Sequence, residues 1–228
     1  MPSPREVGPP RRADHGPRGL GVARNLMRSY VRLIEHAPGL AHEDHAAFLV
    51  LEQLLGGMFT SRLNLLMRER VAASYGVHAR YLVSGTSGRI EIETAVAPAH
   101  AASVVRAIVG ELSRVRGEAE GGVDASELAV AKRRARELVL AQLDTTRGLA
   151  AVIAQRVLGG QEPGAVLEVL RRIDELDPRD VEAAARRWLR PDRAPIAVIS
   201  AEGVLRGAIQ GAGVGEWDMV AAPERRRR

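Results

Sequence analysis

Cysteine is absent from the 228 residues, which excludes disulfides and thiolate zinc sites. Aromatic residues make up only 3%. The core therefore has to come from Leu, Val, Ile and Ala, within a hydrophobic share of 46%. Chains of that makeup usually pack helices against another layer. Lysine is reduced to one residue, Lys132. The N-terminal segment lacks the apolar stretch that a signal peptide needs, and no apolar run is long enough to span a membrane. A soluble, cytoplasmic protein without membrane association is the default expectation.

What is present in excess is arginine. The formal net charge is +5, which invites a nucleic-acid reading. Residues 1–22 and 221–228 carry that whole excess, and residues 23–220 are formally neutral. The central part thus has no net basic field to attract phosphate at long range. The run Lys132-Arg-Arg-Ala-Arg136 reads as the solvated side of a helix, since no aromatic residues are interleaved with it. No nucleic-acid partner is expected.

The chain divides into a disordered basic lead (1–22), an α+β domain (23–203) and a flexible Gly-rich and Arg-rich tail (204–228). Ser29 to Glu35 has strand composition. From His42 to Leu55 apolar residues recur at helical spacing, until Gly56-Gly57 stops the helix. The next helix, capped by Thr60 or Ser61, buries Leu63, Leu66 and Met67. Tyr75 to Val83 and Arg89 to Val96 read as a hairpin with one wet face, turned by Gly85-Thr-Ser-Gly88. Helices follow: one opened by Pro98, a long run capped by Asp124 and Glu127 and divided near Asp144-Thr-Thr, one over Val166 to Leu176, and one opened by Asp177-Pro. Ala197 to Ile199 returns as a strand. This order predicts an antiparallel sheet covered on one face by several helices.

Catalytic motifs are missing: there is no His-x-x-Glu-His, forward or inverted, no nucleophile elbow and no phosphate loop. His42-Glu-Asp-His45 places two imidazoles at a spacing that could meet a metal, but no third ligand is evident. The plainer reading is exposed residues in the first turn of a helix, with Glu43 and Asp44 suited to its positive end.

The segment Leu54 to Val77, LLGGMFTSRLNLLMRERVAASYGV, is the most informative. Leu55-Gly56-Gly57, Ser61-Arg62-Leu63, Met67-Arg68-Glu69 and Tyr75 resemble, in order and spacing, the C-terminal half of pitrilysin/insulinase-type zinc metallopeptidases, such as mitochondrial processing peptidase and its bacterial relatives. The resemblance continues through Glu127-Leu128, Leu158-Gly159-Gly160 and Asp180-Val181, and so covers roughly residues 24–200. It departs at Ala72, where the family usually has Gly. It implies that this chain binds no metal or other cofactor, is inactive alone, and pairs with a homologous subunit that supplies zinc on His-x-x-Glu-His. It also implies that Arg68 and Tyr75 hold a peptide or unfolded-protein substrate. Both side chains donate hydrogen bonds to peptide carbonyls. Without the resemblance they would read as a surface helix charge and a packing aromatic. A structural or assembly protein of the same fold is the competing expectation.

Overall fold

The computed structural model describes residues 19–24, 26–71, 76–212 and 216–221. Its centre is a six-stranded sheet in the order β3-β4-β2-β5-β1-β6. Strand β2 (Ser29–Pro38) pairs antiparallel with β4 (Ser87–Val96) along its whole length and with β5 (Ile196–Ser200) on its other side. Strand β3 (Val77–Ser84) joins β4 through the two residues Gly85 and Thr86. Gly85 has φ +59° there, the left-handed backbone that a tight hairpin turn demands. In β4, Ile90, Ile92, Thr94 and Val96 are buried on the helix side, as the alternation predicts.

Helices cover that side. α1 (His45–Glu52) runs into a π-helical turn, Gln53–Gly57, and is followed by α2 (Arg62–Val71) and α3 (Ala101–Val115). α4 (Ala125–Leu143) starts in the expected Asp124/Glu127 capping box. α5 (Thr146–Leu158) is capped by Thr145, and α6 (Ala165–Glu175) follows. α7 (Pro178–Trp188) opens with an Asp177/Asp180 capping box. α1, α2, α3 and α7 pack on the sheet, while α4 rests on α1 and α6 as a second layer. The layered α+β class is as read from the sequence. None of the described helices is long and apolar enough to cross a membrane.

Two expectations need correction. The sheet is mixed rather than antiparallel, because β1 (Gly19–Ala23) lies parallel to both β5 and β6 (Trp217–Ala221). The same elements place ordered structure inside segments 1–22 and 204–228, where α8 (Glu202–Ala212) also lies. The physical reason is in the glycines. A Cβ on Gly19 would fall within the Trp217 indole, and one on Gly21 would meet Met219 and Ile209. The residues that let β6 and α8 close over β1 are those that give it a loop-like composition.

Candidate functional site

α2 is built to be held at its start. Arg62 lies between α3 and the start of α4. Its Nε donates to both Glu127 carboxylate oxygens at 2.9 and 3.1 Å, and Nη1 to Glu111 Oε1 at 3.1 Å. Nη1 and Nη2 also reach the carbonyls of Gly121 and Gly122. The motif residue Arg62 thus ties α2 to α3 and α4, and is structural.

Two residues later, Asn64 links α2 to the hairpin. Its Oδ1 accepts from the Val77 backbone N–H at 2.8 Å, and its Nδ2 donates to the Val77 carbonyl at 3.0 Å. The carboxamide thereby occupies the place of a neighbouring strand. Nδ2 also meets the Met58 carbonyl and Ser61 Oγ, each at 3.0 Å. Asn64 was not singled out in the sequence, although a residue that competes with helical backbone is itself a signal inside a helix. Asn64→Ala is expected to destabilise the fold by about 2 kcal/mol. A shift in the urea midpoint at unchanged m value would measure this.

Arg68 follows Asn64 by four residues and so shares its side of α2. It is exposed. Its guanidinium lies over the Phe59 ring, 3.8 Å from the centroid, and Nη2 donates to the Phe59 carbonyl. Tyr75 falls outside the described residues. The next residue, Gly76, is described. It has φ +120°, and its carbonyl accepts from Thr94 Oγ1 at 2.8 Å.

Gly76 also stands at the rim of a groove of about 630 Å³ on the open face of the sheet. Tyr30, Ala95, Ala197 and Ile199 form its apolar floor, with Arg32, His78 and Glu93 beside them. Glu93 is bound by Arg32 at 2.6 Å and also by Arg80. The Arg32 hydrogen bond, assisted by Arg80, holds its carboxyl below the usual range.

The β3 edge of the sheet is closed. Asn64 occupies Val77, Gly56 packs against the Ala79 backbone, Glu52 takes a hydrogen bond from the Tyr81 backbone, and Gln155 reaches the Val83 carbonyl. A peptide cannot add to the sheet there. Burial of Glu52 pushes its carboxyl up to about 7, against the Tyr81 hydrogen bond and Arg80, which act the other way.

The His42/His45 pair does not suit a metal, and His45 is not an exposed first-turn residue. It is buried, at 4% exposure. The Tyr81 hydroxyl donates to the Pro38 carbonyl at 2.7 Å, so its oxygen must accept from His45 Nδ1–H at 3.0 Å. Nε2 then accepts from Arg156 Nη2 at 3.3 Å. Burial, then the Arg156 charge, lowers the imidazole to about 3. His42 Nδ1 accepts the Asp44 backbone N–H, and the Asp44 carboxylate binds Trp188 Nε1 and Arg187 at 2.7 and 2.9 Å. No group of three or more His, Asp or Glu able to hold a metal occurs among the described residues. Two residues of the basic run are likewise occupied. Lys132 binds the Asp174 and Leu176 carbonyls at the end of α6, and Arg136 binds the Asp174 carboxylate, as cations at a helix C-terminus do.

Known proteins resemble this chain in sequence and in fold. An uncharacterized zinc protease of Mycobacterium bovis is 27% identical over 178 residues, which is 78% of this chain and 40% of that protein. One of Mycobacterium leprae is 27% identical over 189 residues, 81% of this chain and 42% of that protein. The chain thus spans about 40% of the length of these curated relatives. The peptidase M16 inactive domain from Pseudomonas fluorescens superposes with a TM-score of 0.71 at 19% identity, covering 88% of this chain and 45% of that one. A chain of Complex III2 from Candida albicans superposes with a TM-score of 0.68 at 14% identity, covering 86% and 49%. At such identities these two likenesses speak for the fold alone. The family model described as the peptidase M16 inactive domain matches residues 3–135. With more than half its length so matched, this chain belongs to the peptidase M16 inactive-domain family.

Proposed function

We propose that this chain is the substrate-holding, non-catalytic part of a zinc metalloendopeptidase, working as a heterodimer with a homologous half that carries the zinc. In that reading the partner activates the water. Arg68 and Tyr75 hold the backbone of an extended peptide beside the metal. The zinc is assigned to the partner, because His42 and His45 are taken up by Asp44, Tyr81 and Arg156 and the described residues bring together no group of three or more His, Asp or Glu able to hold a metal.

The observation that carries the reading is the arrangement around Asn64. Its carboxamide fixes the strand that begins two residues beyond Tyr75, and Arg68 is exposed on the same side of the same helix. Arg68 and the start of β3 are thereby tied to one junction, and fixed groups of this kind are what short-range positioning of a substrate requires. The junction adjoins the groove at Gly76, which touches Asn64 and lines its rim. Main-chain pairing at β3 is no part of the reading, since that edge is covered.

The experiment is co-expression with a zinc-motif half and measurement of peptide hydrolysis by the complex. Arg68→Ala is expected to lower kcat/KM by about 10²-fold, the scale of losing one oriented hydrogen-bond donor, with Tyr75→Phe acting in the same direction. Unchanged turnover in both variants removes their assigned role. The competing reading is a structural or assembly protein of the same fold. It predicts a stable complex without turnover of any peptide.

A further inference from the structure

We infer that Phe59 is a specificity-determining contact for the held polypeptide, taking one apolar or aromatic side chain, and that Arg68 positions it. The inference rests on the chain holding a polypeptide at α2. Phe59 is 80% exposed, whereas the other phenylalanine, Phe48, is fully buried in the core. Single exposed apolar residues are ordinary on protein surfaces. Phe59 differs because one face of its ring is covered and the loop that carries it is fixed. The Arg68 guanidinium covers one face of its ring and binds its carbonyl. Its loop is fixed by Asn64, through the Met58 carbonyl and Ser61 Oγ, and by the Ser61 N–H on the Met58 carbonyl at 3.1 Å.

Leu65 supplies an independent observation. It precedes Arg68 by three residues, shares its side of α2, and is 43% exposed. Phe59 and Leu65 are thus apolar surface next to a guanidinium. A polypeptide whose carbonyl meets Arg68 would bring its neighbouring side chain to that surface. An aromatic ring stacked under a guanidinium on a fixed loop gives up less conformational freedom on contact than a free side chain, so more of its burial is expressed in affinity. The substrate class that fits is an extended segment with an apolar or aromatic residue next to the carbonyl held by Arg68.

The test uses the full chain and fluorescent unstructured peptides, alike except for one central residue, Phe, Leu or Ser. Binding is read by anisotropy. The Phe and Leu peptides are expected to bind about tenfold tighter than the Ser peptide, the scale of burying part of one large side chain. Phe59→Ser should bring that ratio close to one, and Phe59→Tyr should keep it. Arg68→Lys retains the charge but loses the flat stacking surface, and should lower the ratio more than the mean affinity. Because Phe59 is exposed, these variants should keep the native circular dichroism. Equal binding of all peptides by the unaltered chain, or a ratio unchanged in Phe59→Ser, overturns the role of Phe59 and leaves substrate holding standing. Failure to bind any peptide overturns both.

Discussion

Replacing Arg62 by Ala is expected to cost about 3–5 kcal/mol of unfolding free energy, the range for removing one partner of a buried ion pair. The Arg62 side chain is 13% exposed, and that of Glu111, which it meets, is 6% exposed. Burial works against the Arg62 charge, but the hydrogen bonds and charges of Glu127 and Glu111 hold its proton more tightly than usual. Truncation would leave Glu111 with Arg114 alone and would leave the carbonyls of Gly121 and Gly122 without their donor. Glu127 would keep its capping role at the Asp124 N–H but carry an unpaired charge. Arg62→Lys should recover part of the loss, because an ammonium keeps the charge but cannot span both carboxylates and two carbonyls. In a domain of this size the Ala variant should melt about 10 °C lower. A loss below about 1 kcal/mol would mean that Arg62 is a solvated surface pair after all.

That prediction marks where sequence reasoning stops. Ser61-Arg62-Leu63 was legible as part of a family pattern, but pattern alone does not separate Arg62, which builds the junction, from Arg68, which stands exposed on it. The distinction depends on Glu111 and Glu127, which are remote in sequence and brought together only by packing. Local devices were legible: the Asp124/Glu127 capping box, the Asp177-Pro helix start, the β3–β4 turn, and the break near Thr145 that separates α4 from α5. β1 and β6 were not. Their pairing is parallel and distant in sequence, and their composition is set by the Trp217 indole against Gly19. His45 was misread as exposed because its spacing is equally that of a first-turn surface residue. Its burial follows from Arg156, the one buried side chain of a helix that otherwise turns Leu149, Val157 and Leu158 toward solvent. No hydrophobic period reveals such a helix.

The same buried cluster gives the last prediction: unfolding free energy is expected to be nearly flat between about pH 5 and 6.5, and flat because two slopes cancel. His45 is lowered from 6.5 to about 3 by burial and Arg156. In this window the unfolded chain takes up a proton that the folded chain refuses, so stability falls as pH falls. Glu52 is raised from 4.5 to about 7 by burial. Here the folded chain keeps a proton that the unfolded chain releases, so stability falls as pH rises. Each slope approaches about 1.4 kcal/mol per pH unit, less for Glu52 because it is only partly buried. Glu93, Asp124 and Glu168 are held below the usual carboxylate range, by Arg32, Ser126 and Arg171 respectively, and exert their effects at lower pH. Glu52→Gln should therefore expose the His45 slope. The variant is expected to gain about 2 kcal/mol at pH near 8, where the ionised carboxylate is no longer buried, and to lose that gain on acidification. His45→Gln should expose the opposite slope, becoming less stable as pH rises from about 5 to 7. Urea titrations of the parent and both variants across this range decide the matter. Parallel pH profiles for all three would mean that neither group titrates as its surroundings require.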